Sequence, residues 1–101
     1  SDLAVGELTF APQTDGGRPC FYKGTFTVEI PADTYLDVSG WGMGEVWVNG
    51  HYAGSYWEQN AQQSIQLPAE TLQKGANSLT VFELKSNGKR TMRLSDKAIF
   101  N

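Results

Sequence analysis

The clearest pattern along the chain is an alternation of apolar and polar residues, which is typical of β-strands with one buried face. It is longest from Cys20 to Ile30, where one face carries Tyr22, Phe26, Val28 and Ile30, and Pro31 ends the strand. Gly24 inside this strand indicates a bulge or a close backbone approach. Shorter alternating segments predict strands at Glu7–Phe10, around Leu36 and Val38, and at Glu45–Val48, Ser64–Leu67 and Asn77–Leu84.

The stretch from Asp33 to Trp57 contains the strongest turn signal. Asn49 and Gly50 predict a type I′ turn, because both central residues of that turn need a positive φ. The segment His51–Tyr56 should therefore pair back on Glu45–Val48. Before this hairpin, Gly40, Gly42 and Gly44 surround Trp41 and suit backbone angles that a side chain would forbid.

The C-terminal part of the chain continues the strand pattern with one interruption. Pro68–Gly75 predicts a single helical turn, with proline at its start and glycine as its stop. In the strand that follows, Leu79, Val81 and Glu83 share one face, while Phe82 and Leu84 on the other face suggest cover on both sides. Asn87–Gly88 predicts a second turn, and one or two last strands would use Met92, Leu94, Ile99 and Phe100.

Because strands recur about every ten residues and no helical period exceeds one turn, the sequence predicts an all-β, antiparallel two-sheet β-sandwich. The chain has 101 residues, so we expect one domain over 1–101. Its abrupt start at Ser1 suggests a piece of a larger protein. The net charge of −3 gives no reason to bind nucleic acid or anionic lipid, and no apolar run is long enough for membrane insertion.

The residues with catalytic or metal-binding potential form no recognisable constellation. Cys20 is the only cysteine, which excludes an internal disulfide and favours a packed apolar role. His51 is the only histidine and follows a turn, with Ser55 as the nearest serine along the chain. No carboxylate pair and no dense run of calcium ligands stands out. We therefore expect no catalytic residue, no metal and no cofactor in this chain.

The aromatic residues carry the functional signal. The candidates for carbohydrate binding or interdomain contact are Trp41, Trp47, Asn49, Tyr52, Tyr56 and Trp57. Aromatic rings can stack on the C–H face of a sugar while neighbouring polar groups bind its hydroxyls. They can also pack against another domain, which is the interpretation we favour, or within the core of the sandwich. Because side chains alternate between the two faces of a strand, Trp47 should point to the face opposite Val46 and Val48. The same argument does not assign a face to Trp41 or Trp57, which lie in predicted loops.

The run DTYLDVSGWGMGEVWVNGHYAGSYW, residues 33 to 57, resembles the C-terminal galactose-binding-like domain of glycoside hydrolase family 35 β-galactosidases. The resemblance extends over residues 19 to 84 through Phe21–Phe26, Gln62–Gln63, Leu67–Pro68, Lys74–Asn77 and Val81–Leu84. A shorter likeness to the sugar-binding domain of family 2 glycosidases supports the same fold. Met43, Ser55 and Asn60–Ala61 depart from the family's usual Lys, Arg and Gly-Pro, and the missing Arg would remove a polar contact to a neighbouring domain or loop.

The resemblance implies a jelly roll that serves as a non-catalytic accessory domain. Its partners would be the catalytic (β/α)₈ barrel and companion β domains of the same parent chain, a retaining β-galactosidase with two catalytic glutamates outside this chain. The alternatives are an autonomous carbohydrate-binding module for β-galactosides or other galactose-containing glycans, and an interaction domain of an unrelated multidomain protein. Export of the parent is compatible with the sequence, which leaves its compartment open.

Overall fold

The structure is a computed structural model that describes residues 6–12, 19–85 and 89–101. It contains two antiparallel sheets packed as a sandwich, which confirms the predicted fold class. The strands are β1 Gly6–Thr9, β2 Ala11–Pro12, β3 Cys20–Val28, β4 Thr34–Asp37, β5 Met43–Val48, β6 His51–Trp57, β7 Ser64–Leu67, β8 Gly75–Glu83 and β9 Thr91–Ser95. A 3₁₀ helix, Ala69–Thr71, occupies the predicted helical turn.

The four-stranded sheet has the order β1-β9-β4-β7, and the five-stranded sheet has the order β2-β3-β8-β5-β6. Inward-facing residues of both sheets form one core, in which Leu36, Val46, Val48, Leu79 and Val81 have no exposed surface. Burial alternates strictly along β3 and β8, as the sequence predicts for strands with one covered face. Both sheets therefore present an outer face.

Two details of β3 differ from or refine the sequence prediction. The strand ends at Val28, because its partner there is Gly75, the first residue of β8. Ile30 consequently leaves the sheet and is 54% exposed, so its predicted inward position is wrong. The register of β3 with β8 is continuous, so Gly24 marks no bulge there; a Cβ at Gly24 would lie 3.1 Å from Phe10 Cδ1, which is a close approach.

The sequence predicted that the glycines around Trp41 adopt backbone angles that a side chain would forbid. This is correct at Gly40, which has a φ of +87°, and wrong at Gly42 and Gly44. Neither of these two has a positive φ. Their requirement is space: a Cβ at Gly44 would lie 2.1 Å from the carbonyl oxygen of Phe82, and one at Gly42 would lie 2.7 Å from Glu83 Oε2. The hairpin turn is confirmed, since Asn49 and Gly50 have φ angles of 50° and 82°.

The last part of the chain forms one strand and a single bridge. Met92 and Leu94 of β9 are buried as predicted. Phe100 forms an isolated bridge with Gln62 and is 64% exposed, so it supplies no core position. The predicted Asn87–Gly88 turn lies outside the described residues.

Candidate functional site

The β5–β6 hairpin positions most of the aromatic candidates, and a bulge divides them between its two faces. Val46 pairs with Gly54 and Trp47 pairs with Tyr52, so Ala53 is an extra residue in β6. Tyr52 and Tyr56 are four residues apart and would share a face in a regular strand. The bulge instead leaves Tyr52 outside with Trp47 and turns Tyr56 inward opposite Gly44.

Trp41 lies in the core and is 1% exposed, which excludes its ring from a surface platform. Its indole packs edge-on against Phe10 and Tyr22, with ring centroids 5.6 and 5.2 Å away. Its Nε1–H donates to the carbonyl oxygen of Thr91 at 2.9 Å. Trp41 therefore joins the loop after β4 to the start of β9.

Tyr56 is also internal, where it belongs to a network around the buried carboxylate of Glu83. The Tyr56 hydroxyl donates to Glu83 Oε1 at 2.7 Å. Backbone N–H groups of Gly42, Met43 and Lys85 donate to the same carboxylate. Burial, followed by this bond to Glu83, raises the pKa of Tyr56 well above its usual value. Hydrogen bonds from neutral donors thus satisfy a carboxylate that is only 1% exposed.

Asn49 is held by bonds within the chain. Its Nδ2 donates to the carbonyl oxygen of Thr71 at 2.9 Å and to Asn77 Oδ1 at 2.8 Å. Its Oδ1 accepts from the backbone N–H of Ser78 at 2.9 Å. Both amide hydrogens are used in this way, so Asn49 fastens the hairpin turn to β8 and has no donor left for a ligand.

The remaining candidates, Trp47, Tyr52 and Trp57, lie on the outer face of the five-stranded sheet. Tyr52 is 59% exposed and Trp57 is 42% exposed, while Trp47 is half-buried. They share this face with side chains that the sequence analysis did not nominate. We call the whole set the aromatic face: Phe21, Met43, Trp47, Tyr52, Trp57, Phe82 and Leu84.

Strand register brings several members of the aromatic face side by side. Phe21 of β3 lies opposite Phe82 of β8, with ring centroids 4.5 Å apart, and Phe82 lies opposite Glu45 of β5. Met43 pairs with Trp57 in the hairpin. The outward parity of Phe82 and Leu84 was visible in the sequence, but their proximity to Phe21 and Trp57 depends on pairing between distant strands.

Charged groups surround and interrupt this face. Lys85 Nζ and Glu58 Oε2 form an ion pair at 2.6 Å, with both side chains substantially exposed. Tyr52 donates its hydroxyl hydrogen to Glu45, and this bond raises the pKa of Tyr52. The ring of Tyr52 meets that of Trp47 at 69°, with centroids 5.8 Å apart. The two rings are therefore steeply inclined and do not form one flat surface.

The outer face of the four-stranded sheet differs in chemistry and carries a cleft of about 240 Å³. Its lining is Glu7, Asp37, Ser39, Lys89, Thr91, Met92 and Arg93. A larger cleft of about 460 Å³ lies where the chain crosses from β1 to β2, beside Thr25 and Ser78. Neither lining includes any of the six residues nominated from the sequence.

Other sequence candidates have ordinary positions. Cys20 is buried, as predicted for a packed apolar side chain, and His51 is exposed beside the hairpin turn. Within residues 6–12, 19–85 and 89–101, no group of three or more His, Cys, Asp or Glu side chains is arranged to hold a metal ion. No helix in these same residue ranges has the length and apolar character needed to span a membrane.

The fold and these surfaces define an all-β sandwich domain whose recognisable chemistry lies on its outer faces. Comparison with known families is more specific. The family model described as "Beta-galactosidase, galactose-binding domain" matches residues 19–77, and the chain belongs to this family.

Similar proteins include β-galactosidases from animals and plants. Beta-galactosidase 17 of Arabidopsis thaliana is 40% identical over 83 residues, which cover 76% of this chain and 12% of that protein. Beta-galactosidase-1-like protein 3 of Rattus norvegicus is 38% identical over 87 residues, or 85% of this chain and 14% of that protein. Beta-galactosidase-1-like protein 2 of Homo sapiens is 38% identical over 66 residues, or 64% of this chain and 10% of that protein. The chain thus corresponds to a small, non-catalytic part of these relatives.

Proposed function

We propose that this chain is a non-catalytic accessory domain of a β-galactosidase, and that its aromatic face packs against other domains of the same parent chain. By resemblance, those domains are a catalytic (β/α)₈ barrel and companion β domains. The parent would hydrolyse β-galactosides with retention, using two glutamates outside this chain. Trp47, Tyr52 and Trp57 would be interdomain contacts.

The observation that carries this proposal is the concentration of exposed apolar side chains on one sheet. Phe21 and Leu84 are each 40% exposed and Trp57 is 42% exposed, all on the same outer face. Contiguous apolar surface of this kind, bordered by charged groups such as Lys85 and Glu58, is typical of contact surfaces between proteins or domains. Large aromatic side chains commonly supply the central contacts of such surfaces.

The scaffold beneath the aromatic face supports the same function. The Glu83 carboxylate binds the backbone of Gly42 and Met43, and so fixes the strand that carries Met43 and Trp47. The Asn49 bonds fix the other end of the hairpin. A surface that is already held in one conformation loses less entropy when it docks.

Sugar stacking on the aromatic face is the second candidate. The steep angle between Trp47 and Tyr52 argues against a flat platform formed by both rings. Trp57 has enough exposed surface to stack by itself. A titration with lactose and a galactan oligosaccharide, followed by tryptophan fluorescence and NMR, tests this candidate: a saturable change that Trp57→Ala abolishes would support it.

Docking is tested in the full parent protein and in the 101-residue chain side by side. Phe21→Asp and Trp57→Asp replace outward aromatic residues, and Tyr35→Asp is the matched control on the opposite face. We expect the first two to lower the melting temperature and activity of the parent while changing the isolated chain little, because a charge would be buried only at the docked surface. Equal effects in parent and isolated chain, or equal effects of Tyr35→Asp, would reject docking by this face.

A further inference from the structure

The outer face of the four-stranded sheet places an arginine between two carboxylates. Arg93 of β9 lies directly opposite Glu7 of β1 on one side and Asp37 of β4 on the other. Their chain neighbours Leu8, Met92 and Leu36 are buried, so all three charged side chains face outward. Residues paired in this way have Cβ atoms about 5 Å apart.

These three described side chains do not form ion pairs with one another. Among the described residues, no ion pair within 4.0 Å joins Arg93 to Glu7 or Asp37. The Asp37 carboxylate accepts a hydrogen bond at Oδ1 from the backbone N–H of Ser39, at 2.9 Å. This bond orients the carboxylate. The row therefore retains charged donors and acceptors side by side.

The surrounding cleft has the size and charge balance for a small neutral ligand. Glu7 and Asp37 contribute two carboxylates, Lys89 and Arg93 contribute two cationic groups, and Ser39 and Thr91 add hydroxyls. The two carboxylates would repel an anion, and the arginine and lysine would repel a cation. Adjacent hydroxyl groups of a neutral ligand can donate to the carboxylates and accept from the cationic groups. Its volume of about 240 Å³ is below the roughly 300–1,000 Å³ of clefts for drug-sized ligands, which suits one sugar ring.

The floor of the cleft is anchored to the core. Thr91 accepts the indole N–H of buried Trp41, and the backbone N–H of Trp41 donates to Val38 at 3.0 Å. The loop that carries Ser39 is thereby tied to the strand that carries Arg93. Groups held in this way bind a ligand with little further ordering.

We propose that this polar cleft binds a single neutral pyranose, with Arg93 and Asp37 bonding adjacent hydroxyl groups of the sugar. The site lies on the sheet opposite the one that carries the aromatic face, and it does not depend on docking by that face. It places a carbohydrate contact where none of the sequence candidates lies.

The test is an NMR titration of the 101-residue chain with methyl β-D-galactopyranoside. We expect saturable shifts of the backbone amides of Asp37, Ser39 and Thr91–Arg93, with a millimolar dissociation constant. Arg93→Ala and Asp37→Asn should each weaken binding about tenfold or more, because a charge-assisted bond to the sugar is lost. Thr27→Ala, at an exposed position of β3 in the other sheet, should bind as the unchanged chain does.

The variants are first checked for dispersed spectra. Since Asp37 also orients Ser39, Arg93→Ala alone decides the outcome if Asp37→Asn does not fold. Absence of saturable shifts up to roughly 100 mM sugar, equivalent to a binding free energy too weak for a site, would overturn the proposal. Shifts confined to Trp47, Tyr52 and Trp57, or binding of sulfate in place of the sugar at the cleft, would overturn it equally.

Discussion

Phe82 and Arg93 occupy corresponding places on the two outer faces of the sandwich, each in a strand with paired neighbours on both sides. Phe82 lies between Phe21 and Glu45, in a row that is partly apolar. Arg93 lies between Glu7 and Asp37, so three successive positions in its row are charged. A sheet that faces water needs no apolar residues on its outer side. This difference in composition is why docking is proposed for the aromatic face and not for the charged face.

The two faces also differ in what holds them from within. Under the aromatic face lies the Glu83 network, which joins β5, β6 and β8 through hydrogen bonds from Tyr56 and from backbone N–H groups. Under the polar face, Trp41 joins a loop to β9 by a single hydrogen bond, and its ring packs against Phe10. The support of the aromatic face consequently depends on one ionisable group, and it can be broken by substitution.

The largest effect should follow from Glu83→Ala. The change leaves the Tyr56 hydroxyl and three backbone N–H groups without their acceptor in the core. Each unsatisfied buried group costs about 1–3 kcal/mol, so we expect the free energy of unfolding to fall by about 3 kcal/mol or more, measured by urea denaturation. Glu45→Ala, an outward position on the same hairpin, is the control. A loss below about 1 kcal/mol for Glu83→Ala would contradict the role given to this carboxylate.

Tyrosine-to-phenylalanine substitutions compare the inner and outer sides of one strand. Tyr56→Phe removes a hydroxyl bonded to buried Glu83, and we expect it to cost about 1–2 kcal/mol in urea denaturation. Tyr52→Phe removes a hydroxyl bonded to Glu45 at an exposed position and should leave the midpoint unchanged within error. Equal shifts in the two midpoints would show that burial does not distinguish these bonds.

Alkaline pH should weaken the scaffold of the aromatic face. The pKa of Tyr56 is raised in the folded chain, whereas in the unfolded chain tyrosine ionises near pH 10. The unfolded chain therefore loses a proton first, so this contribution is intact below about pH 10 and falls as pH rises further, by up to about 1.4 kcal/mol per pH unit. Urea denaturation at about pH 8 and about pH 11 should show this decline, and Tyr56→Phe should make it shallower. An identical decline in that variant would assign the effect to other groups.

The smallest effect is expected on the polar face. Arg93→Ala removes an exposed side chain that forms no ion pair with the described residues. Exposed charges of this kind contribute little, so the free energy of unfolding should change by no more than about 0.5 kcal/mol. Thermal denaturation monitored by circular dichroism measures the change. A large loss would mean that the charged row is a structural element of the sheet and would weaken the case for a free binding cleft.

Local pattern was sufficient to predict much of the fold. The alternation in β3 and β8 predicted their buried faces, and Asn49–Gly50 predicted the hairpin, because these features depend on side-chain parity and turn geometry alone. The inward position of Glu83 also followed from parity. The donors that bind the Glu83 carboxylate could not be predicted from parity, because Gly42 and Met43 come close to it only through the pairing of β5 with β8.

The distribution of the aromatic candidates could not be predicted in the same way. An alanine at position 53 gives no signal for a bulge, yet that bulge separates Tyr52 from Tyr56. Trp41 lies in a loop, where parity has no meaning, and its burial depends on Phe10 and Tyr22 from other strands. The polar cleft arises from the pairing of β1, β9 and β4, which are far apart along the chain. Register between distant strands was the missing information.

The position of β8 has a consequence for the making of the protein. β8 pairs with β3 over nine residues of each strand, yet β4, β5, β6 and β7 come between them along the chain. The hairpin of β5 and β6 is local and can close within microseconds, whereas distant pairing is slow. During synthesis at about 5–20 residues per second, β3 must wait several seconds before its partner is made. We therefore expect the newly made chain to be most prone to aggregation in that interval, while the apolar side of β3 is uncovered.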